Sequence, residues 1–147
     1  MDHRAMQAGR GTLDGFASEL RQAGLRPTRQ RVDLGKLLFA KGHRHVCAED
    51  LHEEAEAADV RVSLATVYNA LHQFTQVGLL REVAIDGART YFDTNISDHH
   101  HFFVEGEGRL VDMADHVGID RLPEPPGGME ITAVEIVVRV RRKRSAG

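Results

Sequence analysis

The spacing of apolar residues predicts three helices in the first part of the chain. The first helix stops at Gly24, the second opens at Pro27-Thr28 and stops at Gly42, and the third follows Cys47. Cys47 is a poorer N-terminal cap than serine or threonine. The positions that would form the buried faces of these helices are Leu13, Phe16, Ala17, Leu20, Leu34, Leu37, Leu38, Leu51 and Ala55.

A fourth helix has the clearest pattern. Ser63 is a good N-cap, and Gly78 stands where a helix commonly ends in the left-handed conformation. Between them lies an apolar stripe made of Val67, Ala70, Leu71 and Phe74. The opposite face is polar and almost uncharged, and it carries Thr66, Tyr68, Asn69, His72 and Gln73.

The rest of the chain predicts strands. The runs LLREVAI and ARTYFD flank Asp86-Gly87 and predict a β-hairpin, which completes the element order of a winged helix-turn-helix. Beyond TNISD, which has a linker composition, HHHFFV and RLVDM predict two short strands around a glycine-rich turn. Prolines and glycines exclude a helix at 121–128, and ITAVEIVVRV predicts a last strand. This small second lobe would bury little apolar surface alone, which favours pairing with a second chain.

Composition narrows the function classes. The chain has 147 residues, of which 41% are hydrophobic and 28% charged, and no apolar run approaches the roughly 20 residues that span a bilayer. The first residues do not resemble a signal peptide, so we expect a cytoplasmic protein without a membrane partner. Its single cysteine, Cys47, excludes a disulfide framework or a cysteine-based zinc site within one chain.

The charge distribution favours nucleic acid, although the net charge is −3. Residues 1–45 hold nine basic and four acidic residues, a local charge of +5. On the fourth helix, Asn69, His72 and Gln73 can hydrogen-bond to base edges, and Thr66 and Tyr68 can contact thymine methyls or phosphates. The N-terminus at Ser63 favours a phosphate, and the basic residues that would attract the DNA backbone or reach a minor groove are Arg26, Arg29 and Arg31. The alternative is an ordinary amphipathic helix, but the hairpin and the local charge favour DNA.

Three consecutive histidines, His99, His100 and His101, indicate a metal site. In an extended segment His99 and His101 share one face and His100 points to the other. His99 and His101 would then join ligands from elsewhere, with His45, Asp93 and Asp112 as candidates. The alternative is a solvated histidine run.

The segments AGLRPTRQR, HVCAEDL, VSLATVYNALHQFTQVGLL and YFD together resemble the ferric uptake regulator (Fur) family. SDHHHFFVEGEGRLVDM and LPEPPGGMEI resemble its iron response regulator (Irr) branch. The resemblance covers about residues 13–141. It implies an α+β homodimer with an N-terminal winged helix-turn-helix and a small α/β dimerisation lobe. The expected segments are a disordered N-terminus (1–11), a DNA-binding domain (12–93), a linker (94–98), a dimerisation and sensing domain (99–141) and a disordered basic tail (142–147).

The resemblance also implies residue roles. Tyr68 would meet bases and Arg26 would reach the minor groove. Ser63, Thr66 and Asn69, singled out above from the helix itself, complete the predicted DNA-binding set. The interdomain metal site of the family matches His45, Asp93, His99, His101 and Asp112. An all-histidine run in the Irr branch is associated with haem, which implies haem binding by His99, His100 and His101.

The chain departs from the family pattern in three places. The stretch FVEGEG lacks the cysteine pairs that hold a structural zinc in most members, so no structural zinc site made of four cysteines is expected. Val134 or a neighbour stands where the family's second site has a late histidine, which puts that site in doubt. Cys47 is followed by Ala48, so the Cys-Pro haem motif of some Irr-branch members is missing.

The sequence therefore predicts an iron- or haem-responsive transcriptional repressor of iron and haem metabolism genes that binds palindromic double-stranded operator DNA. A zinc, manganese or peroxide sensor of the same family is the first alternative. The second is a small metalloenzyme with a histidine site. The chain lacks an HExxH pair, a phosphate loop and a nucleophile elbow, which favours a protein that is not an enzyme.

Overall fold

The computed structural model of the chain describes residues 13–85, 87–114 and 117–144. The chain divides into two compact units, 1–96 and 97–147, and the division falls inside the predicted linker 94–98. The predicted disordered N-terminus (1–11), the turn residue Asp86 and the end of the predicted basic tail (145–147) lie outside the described residues.

The first unit contains the four predicted helices: α1 (Leu13–Gln22), α2 (Arg29–Phe39), α3 (Ala48–Ala57) and α4 (Leu64–Gln76). The residues predicted to begin these helices cap them as expected. The Thr28 hydroxyl accepts from the backbone N–H of Arg31 at 3.3 Å, and the Ser63 hydroxyl accepts from that of Thr66 at 3.1 Å. At α3 the poor cap Cys47 is helped by Asp50, whose carboxylate accepts from the Cys47 N–H at 3.5 Å.

Aromatic rings join the helices into one core. The Phe16 ring lies 5.4 Å from that of Phe39 and meets that of Phe74 edge-on at 5.7 Å, centroid to centroid. Gly35 of α2 is buried directly beneath Phe16, where a larger residue would not fit. The apolar stripe of α4 is buried as predicted, at Val67, Ala70, Leu71 and Phe74.

A three-stranded antiparallel sheet closes this unit. The predicted hairpin is confirmed as β2 (Arg81–Val83) paired with β3 (Tyr91–Asp93), but the strands are shorter than the β-prone runs. A short strand that the sequence did not predict, β1 (His45–Val46), pairs with the other edge of β3. The strand order is β1-β3-β2, so Asp93 ends the central strand directly opposite His45.

The second unit is a three-stranded sheet: β4 (His101–Val104), β5 (Arg109–Asp112) and β6 (Val137–Val140). Strand β4 is central, antiparallel to β5 and parallel to β6. No helix occurs among residues 97–114 and 117–144. The predicted strand at 131–140 is wrong for 131–136, because alternation alone does not make a strand and β4 offers only four residues for pairing.

Within the described ranges, no helix is long and apolar enough to cross a membrane.

Candidate metal ligands and nucleic-acid interface

In the first unit, β1–β3 pairing brings His45 and Asp93 together. The Asp93 side chain is 1% exposed, and its Oδ2 lies 3.1 Å from Nε2 of His45. Its other oxygen, Oδ1, accepts from the backbone N–H of Asn95 at 2.9 Å. A buried carboxylate is costly unless it is hydrogen-bonded and faces a cation, so this pair is suited to a proton or a metal ion.

In the second unit, β4–β5 pairing places Asp112 opposite His101. One oxygen, Oδ1 of Asp112, lies 3.2 Å from Nε2 of His99 and 3.4 Å from Nε2 of His101. The two imidazole rings are 4.5 Å apart, and His101 is only 4% exposed. Three donor groups therefore converge within this unit.

The hydrogen bond of His99 determines which of its nitrogens can bind a metal. Its Nδ1 lies 2.6 Å from the carbonyl oxygen of Ser97, and a carbonyl only accepts, so Nδ1 carries a proton. In the neutral ring Nε2 then presents a lone pair toward the Asp112 oxygen, which is also an acceptor. Two acceptors at 3.2 Å require a proton or a metal ion between them.

His100 points away from this group, as the predicted alternation requires. Its Nδ1 accepts from the backbone N–H of Ile136 at 3.1 Å, just before β6. The structure thus groups His99 with His101 and separates His100 from them. The candidate metal ligands are two side chains of the first unit and three of the second, namely His45, Asp93, His99, His101 and Asp112.

The nitrogen and oxygen atoms of these candidate ligands suit a metal ion of intermediate hardness. Imidazole nitrogen and carboxylate oxygen suit ferrous iron, zinc and manganese, and no thiolate is among them. The only cysteine, Cys47, is buried in the first unit, where Arg89 lies 3.7 Å from its sulfur. Burial raises the pKa of the Cys47 thiol, which favours the protonated form that does not ligate metals.

The outer face of α4 carries most of the predicted DNA-binding residues. Ser63 and Asn69 are exposed, and Thr66 is half-buried with its hydroxyl 2.9 Å from that of Ser63. Tyr68 is half-buried, and its ring stacks on that of His72 at 6.4 Å. The polar face predicted from the sequence is therefore presented at the surface of the helix.

Arg31 and Gln73 are placed differently from their sequence interpretation. The sequence suggested attraction to the DNA backbone or a minor-groove contact for Arg31, and a base contact for Gln73. In the structure, Nε of Arg31 donates to Oε1 of Gln73 at 3.1 Å, and its Nη1 donates to the carbonyl of Arg26 at 2.8 Å. Arg26 itself is exposed, so the Arg31 guanidinium links the segment that carries Arg26 to α4.

Glu49 is a residue that the sequence reasoning missed. Its Oε1 accepts a hydrogen bond from the Tyr68 hydroxyl at 3.0 Å, across 19 residues of chain. Hydrogen bonds from its own backbone N–H and from Tyr68 lower the pKa of Glu49, and the same carboxylate raises the pKa of Tyr68. In the sequence Glu49 is only an acidic residue in the first turn of a helix, which is common without any contact of this kind.

Known proteins resemble most of the chain. Residues 22–139 match the model of the ferric uptake regulator family. The ferric uptake regulation protein of Pseudomonas aeruginosa is 35% identical over 130 residues, which cover 86% of this chain and 97% of that protein. The peroxide-responsive repressor PerR of Staphylococcus aureus strain Mu50 is 32% identical over 101 residues, or 69% of this chain and 68% of PerR.

Solved structures agree with these matches. The ferric uptake regulator of Pseudomonas aeruginosa, determined with manganese, has a TM-score of 0.66 at 29% identity and covers 86% of this chain and 97% of its own. The Vibrio cholerae regulator has a TM-score of 0.68 at 19% identity, covers 86% of this chain and 98% of its own, and supports the fold. The chain therefore belongs to the ferric uptake regulator family of metal-responsive transcriptional regulators, and it is not an enzyme.

Proposed function

We propose that this protein is an iron-responsive repressor that binds palindromic operator DNA as a homodimer. The regulatory ion is bound by His45, Asp93, His99, His101 and Asp112. The observation that carries this proposal is the contact of one Asp112 oxygen with Nε2 of both His99 and His101. Two imidazoles and a carboxylate that converge in this way are suited to a cation shared among them.

The positions of these ligands in the two units explain how the protein would sense the metal ion. Asp93 ends a central strand of the first unit, and His101 begins a central strand of the second. An ion that requires ligands from both units stabilises one arrangement of the units over others, and couplings of this kind are worth about 1–3 kcal/mol. Metal binding would thereby change the spacing of two α4 helices on a palindrome.

DNA contact is assigned to the exposed side of the first unit. Asn69 reads a base edge, Arg26 reaches the minor groove, and Ser63 and Thr66 bind a phosphate at the start of α4. Tyr68 contacts a base through its ring and hydroxyl. This assignment is supported by the exposure of Arg26, Ser63 and Asn69 and by the uncharged polar character of the helix face.

Haem is the second candidate ligand, through His99, His100 and His101. His100 lies outside the ion-binding group, and because its Nδ1 accepts from the backbone N–H of Ile136, haem ligation by this ring would require that hydrogen bond to open. His99 and His101 cannot serve a metal ion and haem at the same time. Haem and a divalent ion should therefore compete, and excess ferrous ion should reduce the Soret absorbance of the haem-loaded protein.

The test titrates metal-free protein with ferrous ion under anaerobic conditions and measures bound iron and operator affinity at fixed salt. We expect His101→Ala and Asp112→Asn each to weaken iron binding at least tenfold and to abolish the effect of iron on operator affinity. His43→Ala, at an exposed histidine outside the ligand set, is the control and should bind iron normally.

Equal iron affinity in all three variants would contradict the proposed ligand set. Parallel titrations with zinc and manganese, and exposure of the iron-loaded protein to hydrogen peroxide, distinguish the alternative sensor types. If the wild-type protein responds to one of these and not to iron, the proposed response to iron is wrong while the site stands.

A further inference from the structure

The hydroxyl of Tyr68 is already engaged within the protein. It donates to the carboxylate of Glu49, the second residue of α3, at 3.0 Å, and the tyrosine ring is stacked against His72. One contact from α3 and one from the next turn of α4 itself thus fix the direction of this side chain. A phenol has one proton to donate, and here the proton is directed to Glu49.

We propose that Glu49 is a positioning residue that makes Tyr68 an acceptor-only reader of DNA, an inference that rests on the proposed function. With its proton held by Glu49, the Tyr68 oxygen can accept hydrogen bonds but cannot donate one. In the major groove the donors are the amino groups of adenine and cytosine, whereas guanine presents acceptors and thymine an acceptor and a methyl group. Glu49 therefore selects base pairs that place an amino group at Tyr68.

The same arrangement keeps Tyr68 away from phosphates. Phosphate oxygens only accept hydrogen bonds, so a phenol whose proton is committed to a carboxylate cannot bind them. The negative charge of Glu49 adds repulsion toward the DNA backbone. Tyr68 is in this way reserved for sequence recognition, while general affinity comes from other residues.

The charged groups around this contact favour its persistence at neutral pH. Hydrogen bonds from its own N–H and from Tyr68 lower the pKa of Glu49, with Cys47 and Arg89 acting in the same direction, so the carboxylate stays ionised. The hydrogen bond to Glu49 and burial raise the pKa of Tyr68, so the phenol keeps its proton. The donor and acceptor roles are therefore fixed across the physiological range.

The contact is tested first without DNA. The chain has two tyrosines, Tyr68 and Tyr91, so labelling of tyrosine Cζ with carbon-13 gives two signals whose pH titrations can be followed separately. In Glu49→Ala we expect the Tyr68 signal to titrate at lower pH than in the wild type, with Tyr91 unchanged. An identical Tyr68 titration in both proteins would overturn the contact and the inference.

The role is tested by measuring binding to operators in which each base pair is varied in turn. In Glu49→Ala we expect the preference for an amino-bearing base to fall by roughly tenfold at one symmetric position, the scale of one net hydrogen bond. Glu49→Gln, whose amide oxygen can still accept from Tyr68, should retain most of that preference. In a Tyr68→Phe background, Glu49→Ala should change nothing further.

Glu53→Ala is the matched control, because Glu53 is an exposed acid on the same helix. An unchanged base preference in Glu49→Ala, or an equal loss in Glu53→Ala, would overturn the positioning role. If the wild-type protein shows no sequence preference at all, the proposed DNA function fails, and the tyrosine titration still reports whether the Glu49 contact exists.

Discussion

Gly35 illustrates how one residue determines the packing of the first unit. It lies inside α2, where glycine is usually unfavourable by about 1 kcal/mol relative to alanine. A Cβ atom at this position would overlap the ring of Phe16, which packs against both Phe39 and Phe74. At this position the close packing of the Phe16 ring against α2 therefore outweighs the low helix propensity of glycine.

We expect Gly35→Ala to destabilise the protein by about 1–3 kcal/mol, because overpacking outweighs the gain in helix propensity. Urea unfolding followed by circular dichroism measures this change. A double variant, Gly35→Ala with Phe16→Leu, should recover part of the loss because the smaller side chain relieves the overlap. A more stable Gly35→Ala protein would show that α1 can shift away from α2 without cost.

At the scale of elements, Arg31 connects three parts of the first unit. It belongs to the first turn of α2, it donates to Gln73 on α4, and it donates to the carbonyl of Arg26 in the segment before α2. Arg26 is assigned to the minor groove, and Gln73 lies on the same helix as Tyr68 and Asn69, which are assigned to bases. The relative position of α4 and the Arg26 segment therefore depends on one guanidinium.

We expect Arg31→Ala to destabilise the first unit by about 1–2 kcal/mol, since two charge-assisted hydrogen bonds are lost. Arg29→Ala is the control. The Arg29 side chain is 95% exposed and lies 3.8 Å from Asp33, so its removal should lower the free energy of unfolding by less than about 0.5 kcal/mol. A double-variant cycle with Gln73→Ala should give a coupling of at least about 0.5 kcal/mol. A coupling near zero would mean that the Arg31–Gln73 bond is not stabilising.

The sequence predicted the elements whose signals are local. Ser63 and Thr28 mark helix starts, and the stripe from Val67 to Phe74 marks the buried face of α4. It did not predict β1, because a strand of two residues has no periodicity and exists through its pairing with β3. The bond between Glu49 and Tyr68 was missed for the same reason, since it joins separate helices.

The candidate site was predicted in part. Alternation alone separated His100 from His99 and His101, although His99 precedes β4 and only His101 lies in the strand. The sequence named Asp112 only as a candidate and as a ligand implied by the family resemblance, whereas the β4–β5 register that places it opposite His101 is seen in the structure. The hydrogen bond from His99 to the Ser97 carbonyl could not be predicted, because nothing in the sequence indicates which acceptor the His99 ring meets.

At the scale of the whole molecule, the second unit exposes much apolar surface. Its sheet buries Phe103, Val104 and Leu110, but other large hydrophobic side chains of the unit, both in the sheet and outside it, remain between 37% and 66% exposed: Val111, Val117, Ile119, Leu122, Met129, Ile131, Val134 and Val138. Where such side chains form one contiguous patch, they mark a protein–protein interface. The distribution supports dimerisation through residues 99–141.

We expect Leu122→Lys to weaken dimerisation at least tenfold, because Leu122 is 49% exposed in the single chain and burial of a leucine is worth about 1.5–3 kcal/mol. Sedimentation equilibrium over a range of protein concentrations measures the change. Glu124→Lys, at an exposed polar position two residues away, is the control and should leave the dimer intact. Equal effects of the two substitutions on dimerisation would show that the segment around Leu122 is not part of the interface.

The central place of β4 in its sheet has a consequence for the order of events during synthesis. The first unit is complete at residue 96, but β4 lacks its parallel neighbour until Val137–Val140 has been made. Ribosomes add about 5–20 residues per second, so the helix assigned to DNA emerges seconds before the proposed ligand-binding sheet can form. Parallel pairing between distant segments is also slow. A chain truncated before residue 137 would retain the residues assigned to DNA without a finished ligand-binding sheet, and such a fragment is expected to act on operators independently of metal.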